Sequence, residues 1–394
     1  MSPANCGIRV WTLFNSMTML RNSQAARTPF CDSWRIFKYV LAWVAGAALV
    51  GLLTACADTR YYLQALGGHL QMMRSARPIE QWLADAQVAP TLKQRLALVQ
   101  RIRSFAETEL KQPDNASYHR YADLQRRSAV WNVVAAGEFS LTLKTWCFPV
   151  AGCVAYRGYF EETEARAQAQ ELAATGLEVS VYGVPAYSTL GWLNWAGGDP
   201  VLSTFLNYPE GELARMIFHE LAHQVLYVKD DTVFNESFAT AVEQLGSERW
   251  LLLHGSATAK KEYAALDTRR RQLRSLARAT RLRLAQIYQQ NEAPTPNREL
   301  QRALKNQVMQ DFKADYARLK TSWGGYAAYD AWVGGANNAA IAAQAAYDEL
   351  VPTFLLLFER SGGDWLRFYS AVKVLSQMPK TQRTQALRLI STRQ

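Results

Sequence analysis

Two histidines four residues apart, with a glutamate beside the first, constrain this chain more than any other feature. They stand in "MIFHELAHQVLYV", residues Met216–Val228. On a helix, positions i and i+4 share a face, so His219 and His223 aim their imidazole nitrogens at one point. Glu220 projects next to that face, where a carboxylate can take a proton from water activated by an ion. Ile217, Phe218, Leu221, Ala222, Val225 and Leu226 supply an apolar remainder, and Gln224 is uncharged. Two ordinary surface histidines fit badly in so apolar a context. The stretch therefore reads as a metal-binding helix, and zinc is the ion that this ligand spacing suits.

Zinc enzymes usually present three protein ligands and leave one position for water, so a third ligand is expected. Downstream lies "YVKDDTVFNESFATAVEQLG", Tyr227–Gly246. Asp230, Asp231 and Thr232 mark a turn, and a second helix starts near Asn235. So short a loop favours antiparallel packing of the two helices. Glu236, in the first turn of the second helix, completes a His, His, Glu set; its plain alternative is a helix-start glutamate favoured by the dipole. Glu243, two turns further along the same face, reads as a surface carboxylate, with a place behind one of the histidines as the second reading.

The rest of the chain gives this site its setting. Of 394 residues 49% are hydrophobic, enough for a large core in one or two domains. The fold expected is α+β and mostly helical: a zincin-like arrangement with a small sheet beside the metal-binding helix pair and a C-terminal helical region. Residues 57–135 read as helical, from apolar residues at helical spacing in "PIEQWLADAQVAPTLKQRLALVQRIRSFAETEL". Residues 138–210 change character, and "FSLTLKTW", "LEVSVYGV" and "AYSTLGW" read as short strands between Gly and Pro turns. From Glu212 to the end, within 212–394, helices return, and the two stretches flanking "NEAPTPN" read as a helical hairpin with a basic, solvated face. No repeat and no long linker divides 56–394, which reads as a single domain.

The amino-terminal stretch, residues 1–55, stands apart. "RIFKYVLAWVAGAALVGLLTAC" has a basic start, an apolar run from Tyr39 to Leu53, and small residues ending at Cys56. The run is short for a membrane span, which takes about 20 residues, and "LTAC" resembles a bacterial lipobox in which Cys56 is lipidated after cleavage. The alternative is an uncleaved anchor helix; a start at Met17 or Met19 would give a more regular signal. Either way the remainder is expected to be exported and tethered to a membrane, facing the periplasm of a Gram-negative envelope. Ala57 after the cysteine resembles the sorting pattern for the outer membrane. In an oxidising compartment Cys147 and Cys153, separated by Pro149 and Gly152, suit a small disulfide loop, with a pair of buried thiols as the alternative. The formal charge of +10 includes +4 from residues 1–55, leaving 39 basic and 33 acidic side chains beyond them. That mild excess comes with no RNA-recognition motif or zinc finger, so no nucleic-acid partner is expected.

The motif pair also carries a resemblance. "HELAHQ…FNESFATAVE" is similar to the gluzincin pattern, His-Glu-x-x-His followed by Asn-Glu-x-x-Ala, although the twelve residues between His223 and Glu236 are fewer than in alanyl-type aminopeptidases and thermolysin-like proteases. More of the chain resembles a bacterial family of exported lipoproteins predicted to be zinc aminopeptidases, through "PVAGCVAYRGYF", "AYSTLGWLNWAGGDPVLSTFL", "FHELAHQ", "NESFATAVE" and "NNAAIAAQAAYDELVPTF". The resemblance implies a zinc peptidase acting on peptide substrates, with His219, His223 and Glu236 as ligands and Glu220 as catalytic base. It also implies an oxyanion-stabilising tyrosine, for which Tyr326, Tyr329 and Tyr347 are the downstream choices; "AYSTLGW" reads either as an edge strand that a substrate extends or, equally, as an internal strand. One departure matters. Alanyl-type enzymes grip the substrate amine with a Gly-x-Met-Glu-Asn stretch, and none occurs between Gly137 and Arg215. An envelope endopeptidase is therefore the second reading, and a non-catalytic envelope protein with a structural metal the third.

Overall fold

In the computed structural model the described residues are 60–148, 152–191, 194–290, 297–345 and 349–392. The apolar run 39–53, Cys56 and Tyr347 lie outside them. Residues Tyr61–Gln394 form one unit. The class is α+β and mostly helical. Among the described residues no helix is long and apolar enough to cross a membrane.

The first half holds helices and three small sheets. Helix α1 (60–75) leads into strand β1 (Arg77–Pro78), α2 (Ile79–Ala84) and α3 (Pro90–Thr108). Pro90 suits the first turn of α3, where its missing N–H would be unpaired anyway. Leu96, Val99, Ile102 and Phe105 then recur every third residue and are buried. Strand β2 (Arg120–Ala122) pairs with β1, and on its other side with β8 (Val201–Leu202). A second sheet has β3 (Val130–Gly137) at its centre, antiparallel to β6 (Arg157–Tyr159) and to β7 (Leu177–Val184), from Val130 opposite Val184 to Gly137 opposite Leu177. Between them β4 (Trp146–Phe148) and β5 (Gly152–Val154) form a hairpin closed by a Cys147–Cys153 disulfide. Helix α4 (Glu162–Ala174) covers one face of the sheet, packing Ala165 and Leu172 against Val133 and Ala135.

Past α5 (Ser203–Leu206) the chain is helical: α6 (Glu210–Val225), α7 (Thr232–His254), α8 (Ala257–Gln290), α9 (Arg298–Ser322), α10 (Asp330–Gly334), α11 (Asn338–Ala345), α12 (Val351–Arg360), α13 (Trp365–Ser376) and α14 (Lys380–Thr392). Helices α8 and α9 share a core of Leu273, Ala277, Leu284, Val308, Phe312 and Tyr316, the hairpin expected from sequence. Phe354, Phe368 and Tyr369 of α12 and α13 close over Phe234 and Phe238 of α7. Ala339 of α11 packs on Val134 and Ala136, the second face of β3.

Two expectations hold only in part. The stretch 57–135 is not all helix, because β2 and most of β3 fall inside it, and 138–210 is not all sheet, because α4 lies within it. With α4 on one face and α11 on the other, β3 has no solvated side, so "VWNVVAAG" shows no alternation to mark a strand. Of the three proposed strands "LEVSVYGV" is β7. Most of "FSLTLKTW" is turn and loop up to Trp146, and residues 185–190 of the "AYSTLGW" region are not a strand.

Candidate metal centre

Helices α6 and α7 bring the motif residues together. Glu210 and Glu212 stand in the first turn of α6, where the helix dipole favours anions. Its buried face, Leu213, Ala214, Ile217, Phe218, Leu221 and Ala222, fixes the helix rotation and so the direction of His219 and His223. The helix stops at Leu226, which is extended. The loop is then locked by Asn235, whose side chain accepts from Val228 N at 2.8 Å and donates to Val228 O at 2.7 Å. Asp231 caps α7 by accepting from Phe234 N at 3.3 Å. Helix α7 starts at Thr232, earlier than the Asn235 expected from sequence, so Glu236 stands just past the first turn, which holds no acid, and is not a helix-start glutamate. Along α6, Arg215 and His219 meet Glu243 while His223 meets Glu236, so the two helices run antiparallel.

The geometry is tight. His219 Nε2 and His223 Nε2 are 3.2 Å apart, and Glu236 Oε2 lies 3.4 Å from the first and 3.7 Å from the second. Ligands about 2.0–2.2 Å from a tetrahedral zinc stand roughly 3.3–3.6 Å from one another, so the three atoms are spaced as one ion would space them. Behind them, His219 Nδ1 donates to Glu243 Oε2 at 2.9 Å, which turns Nε2 toward the other two donors. Glu243 is buried, 4% exposed, and its other oxygen accepts from Arg215 Nε at 2.7 Å. It is not the surface carboxylate the sequence suggests. Arg215 pairs in turn with Glu212, and Glu212 with Arg270 of α8. The buried Nδ1 of His223 has no hydrogen-bond partner among the described residues.

The electrostatics agree with a site for a cation. Burial works against charge on His219, yet hydrogen bonds and charge from Glu236 and Glu243 outweigh it and raise its pKa to about 10. Burial likewise acts against charge on Glu236, but the His223 and His219 side chains hold its pKa below the usual carboxylate range. Burial lowers His223 to about 4, against the pull of Glu236. The cluster thus favours one positive charge at the point where the three donor atoms converge, and a divalent cation can replace the proton there. Burial raises Glu220 to about 7, opposed by His219 and aided by the charges of Glu236 and Asp199.

His219, Glu220, His223 and Glu236 form part of the lining of a cleft of about 340 Å³. Tyr61 and Ala65 of α1, Phe148 and Val154 of the disulfide hairpin, and Val130, Gly158 and Val184 of the sheet make much of its remaining wall. Tyr187, Ser188 and Leu190 line it as an irregular segment rather than as an edge strand. Asp199 holds that segment, accepting from Thr189 N at 3.0 Å and from Gln224 Nε2 of α6 at 3.4 Å. Asp199 was not anticipated from sequence; its position in "AGGDP", between glycines and a proline, was the available signal. The tyrosine expectation also changes. Tyr326 and Tyr329 line a separate groove with Glu212, Lys261 and Arg270, because the turn that carries them packs over α8. The cleft has instead Tyr61, Tyr156, Tyr187 and Tyr227.

Fold and site together define a class: a mostly helical α+β protein whose paired helices bring two histidines and a glutamate to one point of a cleft. The chain belongs to the family described as "Putative aminopeptidase", whose family model matches residues 60–387. No curated protein and no solved structure matches it.

Proposed function

We propose that this chain is a zinc-dependent aminopeptidase of the cell envelope, with His219, His223 and Glu236 as metal ligands and Glu220 as the catalytic carboxylate. The observation that carries the reading is the approach of the three donor atoms to within 3.2–3.7 Å of one another, beside a cleft that Glu220 also lines. An ion held there supplies a Lewis acid that polarises a peptide carbonyl and acidifies water. The rest falls to the chain's own residues. Glu243 and Arg215 hold His219 in its orientation. Glu220, which lines the cleft beside the three donor atoms, takes a proton from the attacking water and delivers it to the leaving amine. Tyr156 and Tyr227 line the cleft with these groups and are the tyrosines suited to donate to the carbonyl oxygen as charge develops on it. Burial, and then the charge of Glu236, raise the Tyr156 pKa well above its ordinary value, which keeps it a donor. By the same reading a lipid on Cys56 holds the protein to a membrane on its periplasmic side, the outer membrane by the residue that follows.

One observation favours an endopeptidase as the second reading. Among the described residues lining the cleft, Glu220 and Glu236 are the carboxylates, and both already have roles, so no third acid pairs with a substrate ammonium. One peptide offered with a free and with an acetylated amino terminus separates the two. An aminopeptidase removes the first residue of the free form alone. Cleavage of both forms at internal bonds makes the enzyme an endopeptidase, and hydrolysis of neither by zinc-loaded protein removes the peptidase reading.

A further inference from the structure

Four of the large apolar side chains exposed among the described residues sit on one helix. Tyr62 is 44% exposed, Leu63 65%, Leu66 56% and Leu70 42%, and all belong to α1. Their spacing puts them on one face. The opposite face is engaged in the fold: Met72 is in the core, a Cβ on Gly68 would overlap the Phe160 ring, and Tyr61 and Ala65 line the cleft. A helix packed on its domain along one side ordinarily shows charged residues on the other. Residues 61–75 instead contain no Asp or Glu, and Arg74 is their single Lys or Arg.

We propose that this face of α1 lies on the lipid surface, with Tyr62, Leu63, Leu66 and Leu70 in the boundary between headgroups and acyl chains. Apolar residues along one face with a basic residue and no acids suit that boundary. Location supports the same occupant: three residues separate Cys56 from the start of α1, so a chain anchored at Cys56 keeps this helix beside the bilayer. A second copy of the chain is a poorer occupant. A specific interface takes about 800 Å² from each partner, and four side chains supply a fraction of that. The membrane is then a partner of the folded domain itself. Because Tyr61 and Ala65 of the same helix line the cleft, the cleft lies beside the lipid surface, and the peptides it receives are those presented there. This step rests on the lipid-anchored reading of Cys56.

The test uses the processed full chain in vesicles of phosphatidylethanolamine and phosphatidylglycerol. One sample carries a nitroxide at Leu66→Cys, and a second carries it at Leu389→Cys, an exposed position outside α1. The label at 66 should lose contact with a water-soluble relaxation agent and gain contact with lipid-dissolved oxygen, while the label at 389 stays accessible from water. Equal aqueous accessibility at both positions overturns the proposal. So does protection at 66 that survives transfer to detergent and grows with protein concentration, which would make a second copy the occupant. Lipid attachment at Cys56, measured on the same samples by mass spectrometry, separates the two readings. A lipidated Cys56 with a water-exposed label at 66 overturns the helix contact alone, whereas an unlipidated Cys56 with a membrane-protected label leaves the contact standing and removes the anchor.

Discussion

Glu243 shows what a single residue contributes and how little its sequence position reveals. The convergence of His219, His223 and Glu236 is legible because helix periodicity and a short loop between two helices bring their side chains together. Glu243 looks like any helix carboxylate until α6 brings Arg215 and His219 against it. Its burial at 4% exposure is a consequence of that pairing, and pairing across helices leaves no local pattern. Glu243→Gln keeps the shape but weakens acceptance from His219 Nδ1 and removes the charge facing Arg215. Loss of such a partner typically costs about 10- to 100-fold in metal affinity, so competition against a chromophoric chelator should show zinc held more weakly by that factor. Unchanged affinity would mean that helix packing alone orients the imidazole.

At the scale of elements, the α6–α7 loop and the disulfide hairpin set the frame of the cleft. Asp231 does two things: it caps α7 and forms a buried ion pair with Arg383 of α14, Oδ2 to Nη2 at 2.6 Å. Arg383→Met leaves that carboxylate buried without its partner, which costs about 3–5 kcal/mol. Urea unfolding should report the loss while zinc stoichiometry holds, because the cap on α7 is intact; a change under about 1 kcal/mol would show that water replaces the guanidinium. The hairpin is tied to the same loop, since Cys153 N donates to Asp230 Oδ1 at 2.6 Å, and it carries Phe148 and Val154 to the cleft. Replacing Cys147 and Cys153 together by serine should lower stability by about 2 kcal/mol, the chain-entropy value for so short a loop. It should also raise KM for peptides without releasing zinc. An unaltered KM would show that the hairpin is no part of the substrate wall. Legibility at this scale follows solvent. The α8–α9 hairpin, exposed along its length, kept its helical periodicity, whereas β3, covered on both faces, lost its alternation.

For the whole molecule, the α+β and mostly helical class was readable from the balance of periodic stretches. The assembly of the cleft was not, because α1, the sheet, the disulfide hairpin and the α6–α7 pair all contribute to it, and they are spread from Tyr61 to Glu236. We propose that this assembly holds one zinc and uses Glu220 to move a proton. Zinc per chain and peptide turnover, measured side by side on wild type, Glu220→Gln and Glu236→Gln, test it together. About one zinc is expected in the wild type and in Glu220→Gln, with turnover in the latter lower by roughly 10²–10⁴-fold. In Glu236→Gln the zinc should be stripped by mild chelation and activity lost with it. A Glu220→Gln protein that loses its metal, or a Glu236→Gln protein that keeps both metal and turnover, would rule out these roles for the two carboxylates.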